Sequence, residues 1–183
     1  MEHTTSRLAN ILGAIALTFN DRLVGETGLA KLGAPVDHVT AGAAVSLLRS
    51  MPGTPMARLA AYVGLSQSAA VRLVDRLEGA GLVVRKRERG QHHIRVFPTR
   101  KGVAAADRLH RARAQVLEGY VATLTARDQK ELLRISEQVA GKLPDDQWHA
   151  MHVCRLCRCR SCGADEDCPV WESVRDRPPR RRA

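Results

Sequence analysis

The sequence predicts a mainly helical protein carrying one small β-hairpin. Three observations lead there. Ala, Leu and Arg are abundant while aromatic residues make up only 3% of the 183 positions, a mix that favours helices over sandwiches and barrels. Apolar residues recur at helical spacing along most of the chain. Only Leu82–Arg87 and His93–Phe97 read differently, as two short strands around a polar turn at 88–92.

In order, Leu8, Leu12, Ile15, Phe19 and Leu23 step by four, three, four and four, a helical stripe over residues 4–30. Thr4, Thr5 and Ser6 are its capping candidates and Gly28 its stop. Gly33, Pro35 and Asp37 form a break, and a second helix follows from Val39 to Met51, ended by Pro52-Gly53. Thr54-Pro55 reads as cap and first position of a third. Its apolar face, Met56, Leu59, Ala60 and Val63, is followed by Gly64-Leu65. Ser66 then caps a fourth helix with Ala70, Leu73, Val74 and Leu77 facing inward, ending at Gly79–Gly81. Two short helices joined by a tight glycine turn form a helix-turn-helix, and the hairpin that follows makes it a winged variant. Thr99 caps a long helix over 100–123, with Val103, Leu109, Val116 and Tyr120 on its apolar side. Thr125 caps another over 126–142, where Leu132, Ile135 and Val139 are expected to form a buried stripe before Pro144 stops it.

Charge is concentrated. Of a net +10, residues 55–102 carry +7: Arg58, Arg72, Arg76, Arg85, Lys86, Arg87, Arg89, Arg95, Arg100 and Lys101 against Asp75, Glu78 and Glu88. Concentrated basic charge is the footprint of a polyanion-binding face. The longest apolar runs fall short of a bilayer span, and MEHTTSRLAN lacks a signal-peptide pattern, so the expectation is a cytoplasmic protein with no membrane partner. An enzyme needs a nucleophile–base set or an open metal site in a cleft. No serine, histidine and acid order stands out and no phosphate-binding glycine loop is present, so the expectation is not an enzyme.

These residues resemble the MarR family of bacterial winged helix-turn-helix transcriptional regulators. The likeness spans roughly residues 4–143. It is carried by Met56-Ala57-Arg58-Leu59-Ala60, by the run from Leu65-Ser66-Gln67-Ser68 to Arg76-Leu77-Glu78, by Gly81-Leu82-Val83 and by Thr99-Arg100-Lys101-Gly102. The resemblance implies a repressor acting as a homodimer, with the first helix and the last two long helices interlocked, and a small-molecule effector. The chain then divides into a dimerisation helix (4–36), the DNA-binding domain (37–99), two further dimerisation helices (100–143), a cysteine-rich segment (145–171) and a flexible basic tail (172–183). Many members carry an Asp-x-Arg at the wing tip, with the arginine in the minor groove. Here the segment is Arg87-Glu88-Arg89-Gly90-Gln91-His92-His93, and Arg89 is the substitute.

A helix entering the major groove needs hydrogen-bonding groups near its N-terminus and cations along its flank. Ser66, Gln67 and Ser68 supply the first and Arg72 and Arg76 the second, although Asp75 and Glu78 offer Arg76 local ion pairs. Arg85, Lys86, Arg87 and Arg89 of the wing add affinity for phosphate. Two recognition helices about a two-fold axis call for a pseudo-palindromic duplex. His92 and His93 read as ordinary exposed histidines.

All five cysteines fall within fifteen residues: Cys154, Cys157, Cys159, Cys162 and Cys168. Two Cys-x2-Cys pairs with one residue between them are awkward for a tetrahedral zinc knuckle. A set of Cys154, Cys157, Cys162 and Cys168 is easier, with Cys159 as an alternative ligand and His149 and His152 as substitutes. An iron–sulfur cluster is the first expectation, the run closing in Cys-Pro being similar to cluster-binding segments. Zn2+ is the alternative, and free thiols acting through disulfides a third. Arg155, Arg158 and Arg160 favour thiolates. The segment is therefore expected to sense redox state, iron or metal. Two other classes remain open: a non-specific architectural DNA-binding protein, and a small electron carrier that would leave the basic window unexplained.

Overall fold

A computed structural model describes residues 2–26, 38–87, 93–157 and 168–177. The order of elements is α1 (Glu2–Glu26), α2 (His38–Ser50), β1 (Thr54–Pro55), α3 (Met56–Val63), α4 (Gln67–Gly79), β2 (Val83–Arg87), β3 (Ile94–Pro98), α5 (Arg100–Val121), α6 (Ala126–Ala140), α7 (Gln147–Val153) and α8 (Pro169–Glu172). The predicted break at 33–37, the wing tip 88–92, Cys159, Cys162 and the tail 178–183 lie outside the described residues.

The core is the winged helix itself. Ala44, Val45 and Leu48 of α2 meet Leu59 and Val63 of α3, Leu73, Val74 and Leu77 of α4, and Leu82, Val83 and Val96 of the sheet. At roughly 25 cal/mol per Å2 of apolar surface removed from water, these side chains hold the unit together. The turn between α3 and α4 is a Schellman cap: Gly64 adopts φ +74°, its N–H reaches the Ala61 carbonyl, and the Leu65 N–H reaches Ala60. Glycine takes that left-handed conformation without a Cβ penalty. Ser66 accepts a hydrogen bond from the Ala69 N–H at 3.3 Å, as the predicted cap requires.

Strand β3 lies centrally, pairing antiparallel with β2 (Arg85 opposite Val96) and with β1 (Thr54 opposite Val96). The expectation that Thr54 caps α3 is corrected. Its hydroxyl donates back to the Met51 carbonyl at 2.7 Å, Pro55 holds the cap position with no side-chain bond, and the pair forms an edge strand.

Thr99 knots the wing to α5. Its hydroxyl donates to the Gly81 carbonyl at 2.7 Å and accepts from the Gly102 N–H. A Cβ on Gly102 would stand 2.0 Å from the Leu82 carbonyl oxygen, so only glycine lets α5 start this close to the sheet. In the middle of α5, His110 Nε2 lies 2.8 Å from the Ser46 hydroxyl, a buried polar link to α2. At its far end Tyr120 stacks obliquely on Phe19 of α1, ring centroids 5.0 Å apart, with the Arg22 guanidinium over the same ring.

The expected burial of Leu132, Ile135 and Val139 does not hold within one chain: they are 45%, 43% and 55% exposed. Leu8, Leu12 and Ile15 of α1 are exposed as well, and Tyr120 of α5 is partly so. Helix α6 has no buried residue, because no element of the same chain lies over its apolar face.

The cysteine-rich segment is structured on both sides of residues 158–167. Asp146 caps α7 through the His149 N–H at 2.8 Å. Met151 and Leu156 pack against the winged-helix core. Ala150, Val153 and Cys154 pack with Cys168, Val170, Trp171 and Val174. Among the described residues no helix is long and apolar enough to cross a membrane.

Candidate functional site

Helix α4 turns Ala70, Leu73, Val74 and Leu77 into the core. The opposite face leaves Gln67, Ser68, Val71, Arg72 and Asp75 exposed, and Ser66 stands exposed at its start. The Ser66 and Ser68 hydroxyls are 3.3 Å apart. Since the Ser66 oxygen already accepts from Ala69, its proton is available to Ser68 or to an incoming acceptor. The start of α4 thus gathers hydroxyls, an amide and helix N–H groups, which suit phosphate oxygens and base edges. Arg72 lies on the same exposed face one turn further on.

The other cations divide into two groups. Arg76 is half-buried in the last turn of α4 and engaged within the chain. Arg85 departs from the expectation of a phosphate-facing wing cation. Its guanidinium donates to Asp75 at 2.5 Å and to the Val71 carbonyl at 3.1 Å, and stands 3.5 Å from Glu78. The Arg85 N–H donates to the other Glu78 oxygen at 2.8 Å. The two carboxylates read as partners for Arg76 along the helix are claimed instead by the hairpin. Arg85 therefore clamps β2 to α4. Lys86, over the Phe97 ring at 5.3 Å, and Arg87 are exposed and directed to solvent. Arg89 lies outside the described residues, and His93 is exposed. Lys101 donates to the Ala80 carbonyl at 2.8 Å, closing the C-terminal end of α4.

Away from α4, a cavity of about 770 Å3 opens between α2 and α5 on one side and α7 and α8 on the other. Cys154, Cys157 and Cys168 line it together, with Leu47, Met51, Met151 and Trp171 supplying apolar wall and Arg49, Arg111 and Arg155 positive charge. Among the described residues no three His, Cys, Asp or Glu side chains stand close enough to share one metal ion. The predicted ligands Cys162 and Cys159 are not among those residues. His149 is turned to Asp145, its Nδ1 3.2 Å from the carboxylate.

His152 has a different place. Its Nδ1 lies 3.0 Å from the Tyr62 carbonyl oxygen, and its ring covers Gly64 in the turn between α3 and α4. Ninety residues separate these partners, so no local spacing in the sequence points to the contact.

A MarR family model matches residues 39–92, from α2 to the wing tip. Similar solved structures agree on the architecture. YusO from Bacillus subtilis superposes with a TM-score of 0.65 at 17% identity, over 78% of this chain and 98% of that one. A MarR family protein from Bacillus stearothermophilus gives 0.64 at 22% identity, over 76% and 94%. MepR, a transcription regulator of the Staphylococcus aureus multidrug efflux pump MepA, gives 0.61 at 12% identity, over 72% and 96%. Each covers nearly the whole of its own chain and leaves part of this one without a counterpart. No curated protein sequence matches the chain. Residues 39–92 are a MarR-family winged helix-turn-helix, set within the fold of MarR-family transcription regulators.

Proposed function

We propose that this protein is a homodimeric, sequence-specific DNA-binding repressor that answers to thiol chemistry in its C-terminal segment. The observation that carries the DNA reading is the outward face of α4, where Ser66, Gln67, Ser68 and Arg72 stand exposed on a helix anchored by four buried residues. The helix start and the side chains at 66–68 read base edges and phosphate, Arg72 adds a guanine or phosphate contact, and Lys86, Arg87 and Arg89 embrace the flanking backbone. Dimerisation is supported by the uncovered apolar side chains of α1 and α6, which a second copy would remove from water.

Selection from a random duplex library followed by footprinting tests this. Two half-sites related by a two-fold axis, centred about one helical turn apart, are expected. Uniform protection with steep salt dependence and no preferred sequence would make it an architectural binder instead.

The thiol response rests on Cys154, Cys157 and Cys168 sharing one cavity, with Cys162 or Cys159 as a fourth ligand. An iron–sulfur cluster is the reading to test first and Zn2+ the second. Iron, zinc and acid-labile sulfide measured on protein purified without oxygen decide between them. The apolar wall of the same cavity suits a small-molecule effector.

A further inference from the structure

We infer that α7 couples the cysteine cavity to the DNA-reading helix pair, with His152 as the positioning residue. The inference rests on the thiol-responsive reading above. Helix α7 is held from two sides. Met151 and Leu156 insert into the winged-helix core, while Ala150, Val153 and Cys154 pack with Cys168 and α8. Trp148, on the same helix, meets the Tyr62 ring with centroids 6.1 Å apart.

The decisive contact is at the turn between α3 and α4. Tyr62 lies in the last turn of α3, whose carbonyls have no partner inside the helix. A carbonyl only accepts, so the 3.0 Å bond places a proton on His152 Nδ1. The ring then lies so close to Gly64 that a Cβ there would stand 2.6 Å from His152 Cε1. Cys154 follows two residues later, as the C-terminal cap of α7. Two residues of helix span about 3 Å, so the thiol and the imidazole move as one rigid piece.

Capture of a soft cation by thiolates from both walls requires the end of α7, with Cys154 and Cys157, to approach the start of α8, with Cys168. That movement slides His152 over Gly64 and tilts α4 against α3. The route is an unbroken series of packed groups from thiol to recognition helix.

The test uses full-length, reduced, metal-stripped protein, a duplex it has selected, and Zn2+ alone as the probe. In the wild type, stoichiometric Zn2+ should change DNA affinity at least tenfold. His152→Leu should bind Zn2+ with the same stoichiometry yet lose that change, while His152→Asn, which keeps a donor at the Nδ1 position, should retain it. Hydrogen exchange at the Gly64 and Leu65 amides of the wild type should change on adding Zn2+, a readout independent of whether the leucine variant folds. A wild type that selects no duplex defeats the regulator reading, and the inference with it. A wild type that binds DNA but ignores Zn2+ defeats the thiol response. An intact response in His152→Leu, or unchanged exchange at residues 64 and 65, overturns the coupling route alone.

Discussion

Replacing Arg85 by methionine separates a clamp from a DNA contact. The change keeps the length of the stem and removes a hydrogen bond to Asp75 at 2.5 Å, one to the Val71 carbonyl and the looser pair with Glu78. A hydrogen bond to a charged group contributes about 1.5–3 kcal/mol when well shielded, but Asp75 is half exposed and solvent screens the pair. The Arg85 Nε is buried with no acceptor among the described residues, so its removal recovers part of the cost. The net loss should be about 1–2 kcal/mol, a fall of roughly 0.5–1 M in the urea midpoint at typical m-values for a chain of this size. DNA affinity of wild type and variant, measured by fluorescence anisotropy across a salt series, supplies the second axis. Each phosphate contact contributes about 0.9 to the slope of log affinity on log salt, so Arg72→Ala should lower it by up to ~1.8 per dimer. Arg85→Met should lose stability with almost no change in slope. A slope reduced by ~1.8 with an unchanged urea midpoint would refute the clamp and return Arg85 to the DNA.

Three further outcomes are expected. Gly102→Ala forces a Cβ against the Leu82 backbone and should cost about 2–3 kcal/mol in denaturant unfolding, as overpacking against unyielding atoms does. Leu12→Glu and Leu132→Glu place charge on the uncovered apolar faces of α1 and α6; each should shift sedimentation from dimer to monomer while the circular dichroism of the winged helix persists. Glu131 has its carboxyl lowered by the hydrogen bond from Arg134. A depressed carboxylate adds stability above its unfolded value and loses it as pH falls through the folded one. An NMR titration should find Glu131 ionising below an ordinary glutamate, and the Glu131→Gln variant should move that pH dependence without unfolding the protein.

Much of the DNA-binding unit was legible because its rules are local. Gly64, Ser66, Thr99 and Thr125 act where a turn or helix start demands them, and the inward residues of α4 follow a period of 3.6. What was hidden depends on partners distant in sequence. The two-residue strand β1 exists only through pairing with Val96 and Arg95 some forty positions on. Asp75 and Glu78 sit within reach of Arg76 along one helix, yet the hairpin delivers Arg85 to them from outside it. The apolar period of α6 was read correctly as a stripe, but a stripe states only that something covers it, not that the cover lies in the same chain. The cysteine spacing identified a chemistry and said nothing of α7 reaching back to the helix-turn-helix.

The knot at the start of α5 has a geometric consequence. Thr99, Lys101 and Gly102 bind the first turn of this helix to the wing and to the end of α4, so the reading head and the helix rotate together. With 22 residues, α5 is a lever about 33 Å long. Pivoting it by about 5° around the Tyr120–Phe19 end sweeps the reading head through roughly 3 Å, close to the rise of one base pair. A displacement too small to disturb any single packed contact at the pivot is enough to put the recognition helix out of step with its groove.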